Sequence, residues 1–403
     1  MWQDIHVMTY IGFGFLLVFL KNSSWTAIGF TYLLAAWAFQ WAILVVSFWD
    51  MVFTDFDRIH LSVKSMVMGD YAAVACMIMF GALAGKASLM HMFWMTTFCV
   101  IFYGLNQAIC LIAIRAQDIG GCITIHTFGG FFGLAASYWF SRREAIKDED
   151  KKHSGNYTSN LVAMFGTLFL YLFYPSFNAA YAPVENQQRI VVNTTFAMTG
   201  SLIAAAFWSR VLHSKLDMTI MLNATLAGGI MIGASADFIM GSGGSIIIGF
   251  LAGLISAISF AHFGPWLKKT IGLSDTRGVL SLHALPGFFG GIISGICGAF
   301  ANRYLVDDRV IANIFPDIAN GQQDFSTQGG NQIAALAITL GIAICGGIIS
   351  ALITTHLPGG DAVKHCFDDG EHWHNVVEDA PADEAPAHAE PVKGSYWSAN
   401  KAE

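Results

Sequence analysis

Charge, proline and paired cysteines are all scarce in this sequence. Only 12% of its 403 residues are charged, about half of the roughly 25% that is typical of soluble domains. The formal net charge of −7 supplies no basic face for a phosphate backbone, which excludes a nucleic-acid-binding protein. The seven cysteines show no Cys-x-x-Cys spacing, and the composition is not that of a secreted disulfide scaffold or a cytosolic enzyme. With nine prolines against 41 glycines, the chain does not read as low-complexity sequence.

What the chain has instead is a series of long apolar runs. Hydrophobic residues make up 55% of it, and the mean hydropathy is +0.53. A membrane-spanning helix needs about 20 apolar residues, and the runs show no sustained strand-like alternation. The sequence therefore predicts an all-α polytopic membrane protein with eleven transmembrane helices, at residues 4–20, 26–49, 67–87, 90–114, 119–141, 159–181, 190–212, 217–240, 244–266, 279–301 and 333–356.

Lysine and arginine are distributed unevenly between the two sets of loops. Twelve fall on one side of the predicted membrane, six on the other and three in the C-terminal tail. Because positive charge concentrates on the cytoplasmic side, we expect the N-terminus outside and the C-terminus in the cytoplasm, with the protein in the plasma membrane. Residues 1–357 form the predicted transmembrane domain. Residues 358–403 are polar, acidic and rich in Ala and Pro, which predicts a disordered cytoplasmic tail.

An internal repeat marks the predicted functional centre. The pattern D-x-x-G-x4-H-x3-G-F-F-G occurs at Asp118–Gly133 and again at Asp275–Gly290, with every matching position offset by 157 residues. By the predicted spans, the two copies enter the membrane from opposite sides. This predicts a five-plus-five inverted repeat around a central pore, since transporters of that design place their sites near the midplane.

The two histidines of the repeat are the strongest candidate functional residues. His126 and His283 each lie eight residues beyond an aspartate, which corresponds to about 12 Å of helix, so both should reach the midplane and meet there. Histidine is costly in hydrocarbon and usually faces a cavity or a partner. The plainer alternative is two unrelated buried histidines that bond to backbone. For Asp118 and Asp275, a helix N-cap role and a role at the pore entrance both remain open.

At these residues the chain resembles the ammonium transporter superfamily, and specifically its Rhesus branch. The resemblance covers nearly all of positions 3–357, and its most specific strings are Thr124-Ile-His126-Thr-Phe-Gly, Gly166-Thr-Leu-Phe-Leu, Tyr174-Pro-Ser-Phe-Asn178 and Asn223-Ala-Thr-Leu-Ala-Gly-Gly229. It implies a homotrimer with one pore through each subunit. It also implies that ammonia or ammonium is the substrate, that the protein is not an enzyme, and that no cofactor or metal is required.

The resemblance also implies roles for individual residues. The paired pore histidines of that family match His126 and His283, the aromatic gate at the outer end matches Tyr71 and Phe177, and the acid at the outer entrance matches Asp118. The first gate position is usually phenylalanine in the family. We therefore expect the Tyr71 hydroxyl to point outward, where water can satisfy it.

The residues at the predicted gate also have alternative roles. Tyr71 and Phe177 have the alternative of ordinary core packing. Asp70, beside Tyr71, either adds negative charge to the outer vestibule or caps its helix.

The chemistry of the pair favours a neutral solute. A cation at the bilayer centre costs somewhere between ~3 and ~17 kcal/mol, whereas ammonia needs only hydrogen-bond partners. Each neutral imidazole has one donor and one acceptor nitrogen, so two rings bonded to each other still turn one nitrogen each to the lumen. Three alternatives remain: a carbon dioxide channel, an ammonium sensor with the tail as its output, and a haem-binding electron carrier with the two histidines as axial ligands.

Overall fold

A computed structural model describes residues 1–55, 57–140, 154–238, 240–301, 308–358, 363 and 366–374. The secondary structure of these described parts is helical. Nine helices among them are long and apolar enough to cross a membrane: Lys21–Phe53, Val63–Leu83, Leu89–Ala113, Tyr157–Ala179, Val184–His213, Met218–Ser235, Gly241–Ile271, Leu280–Phe300 and Phe325–Thr354. They correspond to nine of the eleven predicted spans.

The predicted first and fifth spans are helical but are not among those nine. The first consists of four short pieces of changing helix type, Trp2–Val7, Met8–Gly12, Phe13–Leu16 and Leu17–Phe19. The fifth consists of a π-helical segment, Cys122–Thr127, followed by the α-helix Phe128–Phe140. Further short helices lie at Asp308–Ile314, Pro316–Ala319 and Asp369–Glu371.

Capping boxes fix the start of the two helices that carry the predicted gate residues. Ser62 and Ser65 exchange side-chain-to-backbone hydrogen bonds at the start of the helix Val63–Leu83. Asn156 and Ser159 do the same at the start of Tyr157–Ala179. Each box satisfies two amide groups that a helix N-terminus otherwise leaves unpaired. The register of both helices, and so the height of Tyr71 and Phe177, is set from these ends.

The outer faces of the helices expose large apolar side chains. Tyr32, Leu172, Ile203 and Ile247 are all more than 60% exposed. A soluble monomer rarely carries apolar patches of this extent, and lipid is the solvent that suits them. The arrangement agrees with a multi-pass membrane protein.

The two copies of the repeat pack directly against each other through their glycines. A side-chain Cβ on Gly130 would lie 2.8 Å from the Cβ of Ala284, and one on Gly287 would lie 2.6 Å from Oγ1 of Thr127. The contacts are reciprocal, because the same 157-residue offset relates Gly130 to Gly287 and Thr127 to Ala284. This close approach brings the two histidine-bearing segments together.

Part of the predicted tail has a defined place in the structure. The carboxylate of Asp369 accepts hydrogen bonds from the backbone N–H groups of Trp25 and Thr26 and from the Thr26 hydroxyl. The backbone N–H of Phe367 donates to the carbonyl of Gly85. Residues 366–374 of the predicted tail therefore pack on the membrane domain. Residues 359–362, 364–365 and 375–403 lie outside the described residues.

Candidate pore and histidine pair

His126 and His283 meet in the interior of the protein. Their Nδ1 atoms lie 3.1 Å apart, within hydrogen-bond distance, and their rings are inclined by only 8°. Both side chains are buried. In a contact between two neutral imidazoles, one Nδ1–H donates and the other Nδ1 accepts. The two copies of the repeat therefore build one paired site.

The same local structure positions each histidine. His126 lies in the π-helical segment Cys122–Thr127, and His283 lies in the π-helical segment Leu280–Ala284. A glycine with positive φ precedes each segment: Gly121 at 66° and Gly278 at 73°. Only glycine adopts this left-handed conformation without steric cost, and π-helical turns often occur at functional sites. The glycine that both copies of the repeat share thus turns the chain into the histidine-bearing segment.

The two aspartates of the repeat cap these segments. The carboxylate of Asp118 accepts hydrogen bonds from the backbone N–H groups of Ile123 and Thr124 and from the Thr124 hydroxyl. The carboxylate of Asp275 accepts from the backbone N–H groups of Val279 and Leu280. The geometry is that of the capping alternative, since both carboxylates satisfy amides that the helix leaves free.

Asp118 also faces the outer cavity. Burial raises the pKa of its carboxyl to about 6, and the hydrogen bonds from Thr124 and Ile123 oppose that rise. Asp118 lines a cavity of about 320 Å³, which we call the outer vestibule after the predicted orientation of the chain. Asp118 therefore both caps its segment and lines this cavity.

The outer vestibule holds a positive charge that the sequence reasoning missed. The Nζ atom of Lys64 lies 4.4 Å from the centre of the Tyr181 ring, and both residues line the vestibule. An ammonium group over an aromatic face is a cation–π contact. Lys64 stands two residues after the Ser62 cap, and nothing in the sequence alone indicated that its head would reach a cavity.

Tyr71 and Phe177 lie between the vestibule and the histidine pair. Their ring centres are 4.8 Å apart with an inclination of 53°. Tyr71 lines the outer vestibule, whereas Phe177 lines the small cavity that contains both histidines. The two rings therefore separate the two cavities.

The Tyr71 hydroxyl does not point outward as expected. It donates a hydrogen bond of 2.6 Å to the carbonyl oxygen of Phe177. The helix that carries Phe177 ends at Ala179, and the last four carbonyls of a helix lack partners within it. The nearby unpaired carbonyl is the stronger attraction for a buried hydroxyl, which is why the expectation was wrong.

Asp70 does not belong to the vestibule. Its carboxylate is buried and lies 2.9 Å from Nδ1 of His6. The residue sits well inside the helix Val63–Leu83, so it is not a cap either. Both readings of Asp70 are corrected: successive helix positions point in different directions, so a neighbour of Tyr71 in sequence faces the N-terminal segment.

A third polar side chain joins the histidine pair. The hydroxyl oxygen of Tyr174 lies 3.0 Å from Nε2 of His126. The expectation that one nitrogen of each histidine is free in the lumen is therefore wrong for His126. Tyr174 belongs to the segment Tyr174-Pro-Ser-Phe-Asn178 that carries part of the family resemblance. A single tyrosine on an apolar helix did not indicate that its hydroxyl would contact a histidine.

The cavity at the histidine pair is small and mostly apolar. Its volume is about 10 Å³, near the lower limit for one water-sized molecule. The ring of Phe13 lies 5.9 Å from that of His283 at an inclination of 18°. The remaining walls are Met8, Val74, Leu170, Tyr174, Phe177, Leu226 and Ile230. With the two Nδ1 atoms bonded to each other, this space does not admit a haem, and the electron-carrier alternative is excluded.

The chain resembles ammonium transporters along nearly its whole length. The profile of the Ammonium Transporter Family matches residues 1–363. The chain is 36% identical to the ammonium transporter Rh type C of Oncorhynchus mykiss, over 92% of this chain and 76% of the relative. It is 38% identical to the ammonium transporter Rh type B of Tetraodon nigroviridis, over 96% and 83%. Among solved structures, the Rh50 channel of Nitrosomonas europaea matches with a TM-score of 0.79 and 29% identity, over 95% of this chain and 92% of that one.

Proposed function

Because the chain belongs to the ammonium transporter family, in its Rhesus branch, we propose that it conducts ammonia through an apolar pore past the paired histidines. Its general function is that of an ammonia or ammonium channel. The observation that supports the neutral form is the contact between His126 and His283, whose Nδ1 atoms lie 3.1 Å apart in a cavity of mostly apolar walls.

The energetics of this cavity favour ammonia over ammonium. Moving a cation to the bilayer centre costs between ~3 and ~17 kcal/mol, and no carboxylate lines the cavity of the pair among the described residues. Ammonia carries no charge, so a neutral hydrogen-bonding group is enough to receive it. The pair supplies one such group, Nε2 of His283, the ring nitrogen that neither the Nδ1 contact nor Tyr174 engages. The ion must therefore lose its proton before it passes.

The outer vestibule is the proposed place of that loss. Ammonium arrives in a cavity that the carboxyl of Asp118 lines, and Tyr71 and Phe177 form the gate between this cavity and the histidines. An apolar constriction excludes hydrated ions by dewetting. The gate opens for a small neutral molecule when the two rings move apart.

We also propose the architecture that the sequence predicts. Eleven spans would include the segments Trp2–Phe19 and Cys122–Phe140, arranged as a five-plus-five inverted repeat. The N-terminus would lie outside, the C-terminus would lie in the cytoplasm of a plasma membrane, and the unit would be a homotrimer. The matching local structure of the two histidine segments supports the repeat.

Uptake by proteoliposomes tests the proposed function. Ammonia that enters raises the internal pH, so vesicles with the protein should alkalinise faster than empty vesicles after an ammonium jump. His126→Gln and His283→Gln should slow the rise, because they remove the pair. His91→Gln is the control, since His91 sits at a helix start beside Ser88. Flux equal to that of empty vesicles would overturn the proposal and favour a sensor.

A further inference from the structure

The hydroxyl of Tyr174 contacts Nε2 of His126, the ring nitrogen that does not take part in the bond to His283. Tyr174 Oη lies 3.0 Å from His126 Nε2, while His126 Nδ1 bonds to His283. All three side chains are buried. Both nitrogens of His126 are therefore in use, and the order of the contacts is Tyr174, His126, His283.

The hydrogen atoms along this row have two possible arrangements. In the first, Tyr174 donates its O–H to Nε2 of His126, which places the hydrogen of His126 on Nδ1. That Nδ1–H donates to the bare Nδ1 of His283, and the hydrogen of His283 is then on Nε2. In the second, His126 donates from Nε2, every step reverses, and His283 has a bare Nε2.

The environment of Tyr174 decides between the two. Within the described residues, His126 Nε2 is the one hydrogen-bond partner of the Tyr174 hydroxyl. In the second arrangement the tyrosine hydrogen would be buried without an acceptor, and an unsatisfied buried donor is strongly disfavoured. The first arrangement pairs every group in the row except the Nε2–H of His283, a residue that lines the small cavity of the pair. The second leaves both the tyrosine hydrogen and the bare Nε2 of His283 without a partner in the row.

We propose that Tyr174 is a positioning residue, which fixes the tautomers of the histidine pair so that His283 presents an N–H donor to the lumen. The inference rests on the proposed function and names how that site selects its solute. Ammonia has a lone pair that accepts from this N–H. Ammonium has none, so a fixed donor in the lumen favours the neutral molecule and rejects the ion.

The ring of Tyr174 packs directly against Gly229 of a neighbouring helix, where the lack of a side chain leaves room for it. A Cβ on Gly229 would lie 2.5 Å from Cδ1 of Tyr174. The ring therefore occupies space that any other residue at position 229 would take. Gly229→Ala should displace the hydroxyl from His126, which gives a second route to the same effect without removing the hydroxyl.

Nitrogen NMR of the protein labelled with 15N-histidine in lipid bilayers tests this inference directly. The chemical shift of a ring nitrogen distinguishes a protonated from a bare nitrogen, and the coupling between the two Nδ1 atoms across their hydrogen bond identifies the pair. In the unaltered protein we expect Nε2 of His126 to be bare and Nε2 of His283 to be protonated. The reverse assignment would overturn the inference.

Two variants complete the test. Tyr174→Phe should bring out a second set of ring-nitrogen signals for the pair, because both tautomer arrangements become populated. Tyr171→Phe is the matched control, since Tyr171 lies on the same helix as Tyr174 but lines neither the cavity of the pair nor the outer vestibule, and it should keep the single set. A single, unchanged set in both Tyr174→Phe and Gly229→Ala would refute the role of Tyr174.

The same variants in proteoliposomes separate this inference from the proposed function. Tyr174→Phe should increase the charge that moves per ammonia carried, whereas Tyr171→Phe should not. An unchanged ratio would count against the selective role of the His283 donor. If the unaltered protein carries no ammonia at all, the proposed function fails, while the tautomer assignment is still decided by the NMR spectra.

Discussion

The hydroxyl of Tyr71 donates to the carbonyl oxygen of Phe177 across 2.6 Å, so the two rings of the proposed gate are tied by a hydrogen bond as well as by their contact. The bond joins the middle of one helix to the last turn of another. In the closed state of the proposed gate this bond holds the two rings together, and it breaks when the rings move apart. The hydroxyl of Tyr71 therefore links the two helices by a hydrogen bond that phenylalanine could not form.

Substitutions at Tyr71 separate the ring from the hydroxyl. Tyr71→Phe keeps the ring but leaves a carbonyl unpaired, which should lower the free energy of unfolding by about 1–3 kcal/mol and leave the selectivity for ammonium over methylammonium nearly unchanged. Tyr71→Ala and Phe177→Ala widen the gate and should raise methylammonium uptake. Thermal denaturation and paired uptake assays check both expectations.

Two outcomes at Tyr71 would contradict this account. Complete loss of transport in Tyr71→Phe would mean that the hydroxyl acts on the solute itself. Unchanged selectivity in both alanine variants would mean that the two rings are core packing.

Asp118 and Asp275 form a matched pair, because both cap a histidine-bearing segment and Asp118 alone of the two lines the outer vestibule. Replacement by asparagine removes one carboxylate oxygen at either site and should lower the thermal stability of both variants. Asp118→Asn should in addition raise the ammonium concentration that gives half-maximal uptake. Equal effects on that concentration in the two variants would show that Asp118 is a cap without a role in recruitment.

Because the Nζ atom of Lys64 lies over the ring of Tyr181 in the outer vestibule, we expect it to compete with ammonium for that ring face. An exposed cation–π contact is worth ~0.5–1 kcal/mol, which corresponds to about a two- to five-fold change in binding. Lys64→Met should therefore lower the half-maximal ammonium concentration by that factor, since both the competitor and its charge are gone. Lys21→Met removes the same charge from an exposed lysine outside the vestibule and is the control. A half-maximal concentration that stays constant or rises in Lys64→Met would refute the competition.

The docking of the tail segment 366–374 should depend on pH through His372. Burial against the ring of Phe30 lowers the pKa of this histidine, and Glu371, Asp369 and Asp368 oppose that shift. The docked state therefore favours the neutral imidazole. Docking is fully stabilised above the ordinary value of about 6.5 and weakens as the pH falls below it.

Limited proteolysis in detergent checks the expectation for the tail. Cleavage within residues 366–374 should become faster as the pH is lowered from about 7.5 to about 5.5, a range that spans the ordinary histidine pKa. His372→Gln cannot titrate and should abolish the acceleration, whereas Asp369→Asn loses contacts with Trp25 and Thr26 and should be cleaved faster at both values. A rate in the unaltered protein that does not change with pH would contradict the role of His372.

The repeat explains why the histidine pair could be predicted and its surroundings could not. Identical spacing on two segments places His126 and His283 at matching depths, and the shared glycines supply the turn and the close approach. The hydrogen bonds of Tyr71, Tyr174 and Asp70 each join two segments that are distant in sequence. Each of them depends on how the two segments are rotated about their axes. No local pattern encodes that rotation.

The same distinction applies to the fold. Apolar length identified most spans, because the bilayer imposes about 20 residues on each. It could not show that the N-terminal predicted span is divided into four short helical pieces. Nor could composition show that residues 366–374 pack on the membrane domain. A polar, acidic segment has the composition of a disordered one, and its packing depends on a few specific contacts.

Electrical recording beside pH-monitored uptake tests the central claim, that the pore past His126 and His283 carries neutral ammonia. Proteoliposomes are exposed to steps of ammonium at constant pH while the membrane current and the internal pH are followed together. The account predicts that the internal pH rises at a rate that increases with ammonium while the current stays at the level of empty vesicles. A current that scales with ammonium and requires both histidines would contradict it.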